Sequence, residues 1–315
     1  MTNTAIAYIV FNRPRYTKET FEAIRAARPS HLYIIADGPR SGYPDDEKLC
    51  SEARGIAEQV DWPCTVHKNY AEKNLGLKKR VSTGLNWVFE HEERAIILED
   101  DCLTHPDFFV FCETLLDKYE NDERVWVISG DNHQQGRKRG DASYYFSKYS
   151  DCWGWATWRR AWKNFQGDIP FWPSWKEGPA WKALNPDLNE RAYWNDIFTR
   201  VHSNAIHSSW FYPWLACVWF KGGITATSNV NLVSNIGIGP DATHTITETE
   251  QPGAPISALG QITHPPTVEV NTAADQFAYN HRYEGLKRRF PRNLKPIPRR
   301  IAGNIYRYLR RKFFS

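Results

Sequence analysis

The chain has 315 residues, of which 41% are hydrophobic and 24% are charged, a composition typical of water-soluble globular proteins. No apolar run approaches membrane-spanning length, so no spanning helix is predicted. The net charge of +4 hides an asymmetry, because residues 282–315 carry 12 Lys and Arg against one Glu. The rest of the chain is acidic, which argues against nucleic-acid binding by the body.

Cysteine usage and the N-terminus bear on the compartment. The six cysteines form no C-x-x-C pair and no metal-binding spacing, which favours free thiols in a reducing environment. Residues 5–11 are apolar and follow the N-terminus without a basic segment or a cleavage site. We therefore interpret this run as a strand and expect a cytoplasmic protein.

Apolar segments alternate with helical patterns through the first third of the chain. The strand at 5–11 is followed by Asn12-Arg13-Pro14 and a helical pattern from Thr17 to Ala27. The next predicted elements are a strand at 31–36, a helix near 46–60, a strand near 65–67 and a helix from about 77 to 90. This alternation predicts a mostly parallel sheet with helices on both faces, and right-handed crossovers would place the strand ends on one rim.

An acidic motif follows the next strand. Ala95–Leu98 is apolar and reads as a buried strand, and it ends in Glu99, Asp100 and Asp101. Three adjacent carboxylates repel one another, and a divalent cation, Mn²⁺ or Mg²⁺, would offset their charge and bridge to substrate phosphates. The plain alternative is an acidic loop that only solvates the strand end. Pro106 then suits the first turn of a helix.

The second half of the chain is rich in tryptophan. Eleven of the 14 tryptophans lie between Trp153 and Trp219. Most are expected in the core, and Trp155, Trp158 and Trp162 have spacings that place them on one face of a helix. Aromatic faces also stack on sugar rings, so part of this set suits a carbohydrate acceptor. A strand at 223–228 leads into a polar loop over Asn231–Gly239 and 241–245.

These motifs together resemble the nucleotide-sugar glycosyltransferases of the GT-A fold. The acidic motif with Pro106-Asp107-Phe108-Phe109 is similar to N-acetylglucosaminyltransferase I and its relatives. Residues 144–147, 153–162 and 231–245 are similar to a group of bacterial sugar transferases, some of them labelled hemolytic protein. The resemblance covers about residues 5–270. It implies one α/β domain over 1–280, with a nucleotide-sugar half (1–130) and an acceptor half (131–280), followed by a basic amphipathic tail (281–315).

The resemblance also implies roles for individual residues. Asp101 would be the direct metal ligand, and His244 a second metal or phosphate contact. The donor-binding residues would be Asn12, Arg13, Asp37, Arg80, Glu99 and Asp100. The acceptor-binding residues would be Trp153, Trp155 and Trp210.

The catalytic base is where the chain departs from the family pattern. Related enzymes carry an Asp after a Trp at this place, whereas this chain has Phe211 after Trp210, and Phe cannot accept a proton. The nearest candidates are Asp196 and, second, Asp151. The base is left unassigned between them.

The sequence thus predicts a metal-dependent transferase, inverting by resemblance, that moves a sugar from a UDP-sugar to a glycan or glycolipid in bacterial polysaccharide synthesis. The alternatives are an inactive glycan-binding or membrane-active relative, and a sugar-phosphate nucleotidyltransferase. The latter usually has a Gly-rich loop after its first strand, and Asn12-Arg13-Pro14 is not one. Ile301, Ile305, Leu309 and Phe313 recur at i+4 among cations, which predicts that the tail binds the inner face of a membrane, near a lipid-linked acceptor.

Overall fold

The computed structural model of the chain describes residues 2–237 and 255–289. His244, predicted as a metal or phosphate contact, lies outside these residues. So does most of the predicted amphipathic tail, whose described part ends at Arg289.

The described residues contain ten strands, eight of them in one sheet. They are β1 (Ala5–Val10), β2 (His31–Ala36), β3 (Thr65–Tyr70), β4 (Arg94–Glu99), β5 (Cys102–Thr104), β6 (Val125–Ser129), β7 (Tyr144–Ser147), β8 (Trp155–Trp158), β9 (Ile224–Ser228) and β10 (Val233–Asn235). The sheet order is β3-β2-β1-β4-β8-β6-β9-β7, and β5 pairs with β10 separately. Within the sheet, β7 and β8 run antiparallel to their neighbours, and the other strands share one direction.

Helices cover both faces of this sheet. They are α1 (Pro14–Ala27), α2 (Asp46–Ala57), α3 (Leu77–His91), α4 (Asp107–Lys118), α5 (Arg159–Trp162), α6 (Trp172–Trp175), α7 (Pro179–Leu184), α8 (Leu188–His202), α9 (Phe211–Phe220), α10 (Thr272–His281) and α11 (Gly285–Arg289). The predicted fold class, a mostly parallel α/β sheet flanked by helices, is confirmed. No helix in the described part of the chain combines the length and apolarity needed to cross a membrane.

Alternation along the central strands divides the core into two layers. Ala5, Ala7 and Ile9 of β1 pack into one layer, and the alternate residues Ile6, Tyr8 and Val10 pack into the other. Both faces of β1 are therefore buried, which is why the strand reads as a continuous apolar run. Most tryptophans belong to these layers, as expected, because 12 of the 14 are buried.

The segment around Trp155–Trp158 is a strand, not the helix that the tryptophan spacing suggested. As β8 it lies between β4 and β6 and pairs with both. Trp155 faces one core layer, and Ala156 and Trp158 face the other. Helical geometry begins only at Arg159, with α5. When both faces of a segment are buried, its large apolar residues match the spacing of a helix as well as that of a strand. Periodicity could therefore not distinguish a strand from a helix here.

Strand register brings several loops to one rim of the sheet. Ile9 is level with Glu99, and Ile97 is level with Trp155. Trp155 is in turn level with Ser129, and Ser129 with Thr227. The ends of β1, β4, β6 and β9 and the start of β8 therefore lie side by side.

Candidate active site

The centre of this rim is the point where the strand order reverses. β1 has β2 on one side and β4 on the other, so the loops that leave β1 and β4 run in opposite directions. In open α/β sheets the crevice at such a reversal is where ligands bind. Here the loop after β1 supplies Arg13, and the end of β4 supplies the acidic motif. Pro14 starts α1 directly after Arg13, and proline suits this first helical position.

Arg13 joins the two loops by ion pairs. Its guanidinium contacts Asp100, and Nη1 lies 2.9 Å from Oδ2 of Asp101. Both carboxylates are almost fully buried, at 2% and 6% exposure. Oδ2 of Asp100 also accepts a hydrogen bond from the backbone N–H of Phe11, and its backbone carbonyl accepts one from Thr20. We call Arg13, Glu99, Asp100 and Asp101 the acid cluster.

The acid cluster holds more acids than cations. Burial raises the pKa of Glu99, and the nearby Asp101 raises it further. Burial also raises the pKa of Asp100, an effect that Arg13 opposes. One arginine therefore does not offset three neighbouring carboxyl groups, and the cluster favours the approach of another cation.

The two oxygens of Asp101 differ in their contacts with the described residues. Oδ2 is engaged by Arg13, whereas Oδ1 accepts the weak hydrogen bond of the Cys102 thiol, at 3.9 Å. Gly237 closes the other side, because a Cβ at this position would meet Oδ2 of Asp101 at 2.3 Å and Nη1 of Arg13 at 2.7 Å. The donor set, carboxylate oxygen, suits a hard divalent ion.

The segment 231–237 runs along the rim beside this cluster. Its strand β10 pairs with β5, and the backbone N–H of Ile236 donates to the carbonyl of Asp101 at 2.9 Å. Val233 packs against Gly130 and Gly154, where a Cβ would approach its side chain to 2.8 and 2.5 Å. We call 231–237 the rim segment. The polar loop predicted from the sequence begins here, and its described part lies beside Asp101.

Asp37 and Asn12 lie on the same rim but are engaged in internal contacts. The Asp37 carboxylate accepts hydrogen bonds from the backbone N–H groups of Gly38, Leu75 and Gly76 and from the Asn74 amide. Asn12 donates to Asp46 at 2.8 Å. A carboxylate has about four acceptor positions. The Asp37 carboxylate therefore holds the 74–76 turn, and its predicted part in donor binding stays a prediction.

Arg80 is also engaged inside the protein. It is buried, and its Nη2 donates to Oδ1 of Asn69 at 2.9 Å. Burial lowers the pKa of Arg80, and Asp37 acts in the opposite direction. Among the described residues, Arg80 makes no contact with the acid cluster.

Two of the three predicted acceptor tryptophans have no face open to a ligand. Trp155 is 1% exposed and stacks on Trp210, with 5.5 Å between ring centroids. The Trp210 indole donates to Glu99 and thereby lowers that carboxyl's pKa in part. Their assignment to acceptor binding is therefore corrected. Trp153 is half-buried and remains at the rim.

A second group of polar side chains lies farther along the rim. Nε2 of His133 is 3.0 Å from Oδ2 of Asp131 and 3.8 Å from Oδ1 of Asp151. Arg282, which follows α10, pairs with Asp151. Burial lowers the pKa of His133, and Arg282 lowers it further, so the imidazole is neutral near pH 7. We call Asp131, His133, Asp151 and Arg282 the histidine cluster.

The histidine cluster lies between the protein interior and solvent. A cavity of about 10 Å³, roughly the room for one water, borders His133, Asp151 and Arg282. Trp153 forms another wall, with its ring centroid 5.7 Å from that of His133. Ligand atoms of Asp131, His133 and Asp151 lie within 4.8 Å of one another, so this group could hold a metal ion. Arg282 already supplies a positive charge there, which would oppose a second cation.

The structure separates the two predicted base candidates. Asp151 belongs to the histidine cluster. Asp196 lies on the solvent-facing side of α8, is 66% exposed and has Arg200, one turn on, 3.7 Å away. Phe211 begins α9 and packs beside Trp210 and Tyr212. Among the described residues, the charged partner of Asp196 is Arg200 of the same helix, and Asp196 makes no contact at the rim.

The sequence analysis missed Asp131, His133 and Arg282. Asp131 and His133 follow β6 in the run Gly130-Asp131-Asn132-His133, a polar turn after an apolar strand. The acidic motif after β4 was identified by the same pattern, polar residues directly after an apolar strand. Arg282 carried no comparable signal, because its role depends on where α10 packs.

Comparisons with known proteins give distant likeness only. No protein-family model and no curated protein matches the chain. UDP-glucose pyrophosphorylase complexed with UDP-glucose is 12% identical, with a TM-score of 0.33 over 51% of this chain and 78% of that one. HddC from Yersinia pseudotuberculosis is 7% identical, with a TM-score of 0.31 over 55% and 86%. A 4-diphosphocytidyl-2C-methyl-D-erythritol synthase from Anaerococcus prevotii is 10% identical, with a TM-score of 0.32 over 51% and 76%. These values assign no activity to this chain.

Proposed function

We propose that this protein is a glycosyltransferase that binds a nucleoside-diphosphate sugar, of the UDP class, at the acid cluster and transfers the sugar to a glycan or glycolipid. The observation that carries the proposal is the pairing of Arg13 with Asp100 and Asp101 at the reversal of strand order. Arginine suits a diphosphate oxygen, and the carboxylates suit ribose hydroxyls and a cation.

A divalent metal, Mn²⁺ or Mg²⁺, fits the proposal at Asp101. The support is the excess of acids over cations around it and the weakness of the Cys102 thiol contact at its Oδ1. Such an ion would neutralise the charge of the departing diphosphate. Arg13 would contribute to the same task through a guanidinium that is held in place by Asp100.

The rival reactions draw less support from the geometry. A nucleotidyltransferase with a glycine-rich phosphate loop needs glycine after the first strand, whereas Phe11, Asn12 and Arg13 connect β1 to α1. An inactive relative would have no use for buried acids with a raised pKa at the rim.

Calorimetric titration of UDP into the full-length protein, with and without MnCl₂, tests the proposal. We expect saturable binding that strengthens when Mn²⁺ is present. The matched ligand is uridine, which lacks the diphosphate and should bind much more weakly. Equal binding of UDP and uridine, or no binding of either, would remove the diphosphate site from consideration.

The basic segment supports a membrane partner. We extend the proposal to attraction of residues 282–315 to an anionic leaflet, each cation contributing about 1 kcal/mol near the surface. Co-sedimentation with phosphatidylglycerol vesicles at low and high salt should show binding that salt weakens. A version ending at Arg289 keeps Arg282 on Asp151 and is expected to bind less. Equal sedimentation of the two forms would exclude residues 290–315 as the contact.

A further inference from the structure

We propose that His133, oriented by Asp131, accepts the proton of the acceptor hydroxyl in the sugar transfer. This inference rests on the function proposed above and supplies the base that Phe211 cannot provide. It comes from the geometry of the histidine cluster and from its place on the same rim as the acid cluster.

The hydrogen bond to Asp131 fixes which nitrogen can act. An ionised carboxylate only accepts, so Nε2 of His133 carries the proton in its 3.0 Å bond to Oδ2 of Asp131. Nδ1 then holds a lone pair, which accepts no hydrogen bond from a described residue. The side chain is 19% exposed, so part of the imidazole faces solvent. A carboxylate that orients a histidine in this way also stabilises the imidazolium that forms.

The sheet sets the distance between the two clusters. β8 lies between β4 and β6, and neighbouring strands are about 4.8 Å apart, so the ends of β4 and β6 lie about 10 Å from each other. Inverting glycosidases place two carboxyl groups about 6.5–9.5 Å apart so that they act on opposite sides of one sugar ring. The spacing here suits a donor diphosphate at one cluster and an acceptor hydroxyl at the other.

The transfer balances with these groups. The acceptor oxygen forms a bond to the anomeric carbon of the donor sugar, and the bond from that carbon to the diphosphate oxygen breaks. The electron pair of the broken bond leaves with the nucleoside diphosphate. The hydroxyl proton passes to Nδ1 of His133 and is later released to solvent.

Asp151 and Trp153 have supporting roles in this arrangement. Asp151 is covered by the Arg282 guanidinium, which leaves its carboxylate less able than Nδ1 of His133 to meet a hydroxyl. Trp153 lies beside His133 and offers a partly exposed ring to an acceptor sugar.

The test uses the full-length protein with Mn²⁺ and water as the acceptor. UDP release is measured in turn from UDP-glucose, UDP-galactose and UDP-N-acetylglucosamine, and UDP affinity is measured separately by calorimetry. His133→Gln should slow UDP release about a hundredfold or more and leave UDP affinity unchanged. His105→Gln is the control, since His105 also lies near an aspartate, Asp107, at 3.7 Å. It should release UDP at the original rate.

Two further variants separate chemistry from structure. Imidazole in the buffer should restore UDP release by His133→Ala, which a purely structural role would not allow. Asp131→Asn should slow release while the fold and UDP affinity persist. Undiminished release by His133→Gln, or loss of UDP affinity in parallel with rate, would overturn the inference. UDP binding without any release by the unaltered protein would also overturn it and leave the donor site standing, whereas absence of UDP binding would overturn the proposed function itself.

Discussion

The acid cluster and the histidine cluster match in the types of three residues and differ in the fourth residue, which is a glutamate in the first and a histidine in the second. Each contains two buried aspartates and one arginine at the rim of the sheet, but Arg13 pairs with both of its aspartates, whereas Arg282 pairs with Asp151 and Asp131 contacts His133. The acid cluster adds a third carboxyl, Glu99, whereas the histidine cluster adds an imidazole. The first therefore has an excess of negative charge and favours a cation. The second is closer to balance in charge and has a partly exposed imidazole, which can take up a proton.

This comparison shows that the counter-charge, not the aspartates, distinguishes the two sites. A buried carboxylate pair is stable only with a partner, and an arginine supplied by the protein leaves less need for a metal. Substitution of either arginine, or of the groups around it, should therefore have different consequences at the two clusters.

The largest expected effect is on donor binding at the acid cluster. Asp101→Ala removes the proposed metal ligand and should weaken Mn²⁺-dependent UDP binding by more than about a hundredfold. Loss of a residue that only supports a metal ligand already lowers affinity by up to about a hundredfold. Asp117→Ala, at an exposed ion pair with Arg94, is the matched control. Calorimetry measures both. An unchanged affinity in Asp101→Ala would remove Asp101 from the site.

Removal of each arginine tests the comparison directly. Arg13→Met and Arg282→Met should each lower the free energy of unfolding by about 3 kcal/mol, because buried carboxylates lose their partner. Mn²⁺ should recover part of the loss in Arg13→Met and none in Arg282→Met. Urea unfolding with and without MnCl₂ measures this. Recovery in Arg282→Met alone would instead identify Asp131, His133 and Asp151 as the metal site.

A smaller effect concerns pH and uses a histidine away from both clusters. His67 stacks on Tyr33, and burial, together with His31, lowers its pKa. The folded state thus favours the neutral ring, so its stability contribution is present above the unfolded pKa of about 6.5 and is lost as pH falls through the folded value. His67→Gln should reduce the loss of stability between pH 7.5 and 5.5. His133 is expected to contribute to the same loss of stability, because its neutral form is also buried. If His67→Gln removed the whole loss between pH 7.5 and 5.5, His133 would not be buried in its neutral form.

The smallest effect is expected at Asp196. Its exposed i,i+4 pair with Arg200 contributes at most about 0.5 kcal/mol, so Asp196→Asn should change the urea midpoint little. UDP release should stay within twofold of the original. A hundredfold loss would return Asp196 to the position of base and count against His133.

The two clusters also differ in how far the sequence reveals them. Glu99, Asp100 and Asp101 are adjacent and follow an apolar strand, so local pattern was sufficient to place them on the rim. The histidine cluster joins residues 131, 133, 151 and 282, which come from three separate segments and meet only in the folded chain. Sequence periodicity misread β8 as helix, since both of its faces are buried. Asp37 was placed at the correct rim, but its hydrogen bonds to the 74–76 turn are set by tertiary contacts.

The rim segment spans the distance between the histidine cluster and the acid cluster with a fixed number of residues. Asn231 accepts a hydrogen bond from the backbone of Asn132 at 3.1 Å, and Gly237 lies against Asp101 and Arg13. Between them, β10 pairs residue by residue with β5. Loss or gain of a single residue here would turn Val233 away from Gly130 and Gly154 and move Gly237 off Asp101. Insertions and deletions during evolution should therefore avoid 231–237, so relatives that act on different acceptors should vary in sequence around this segment and not in its length.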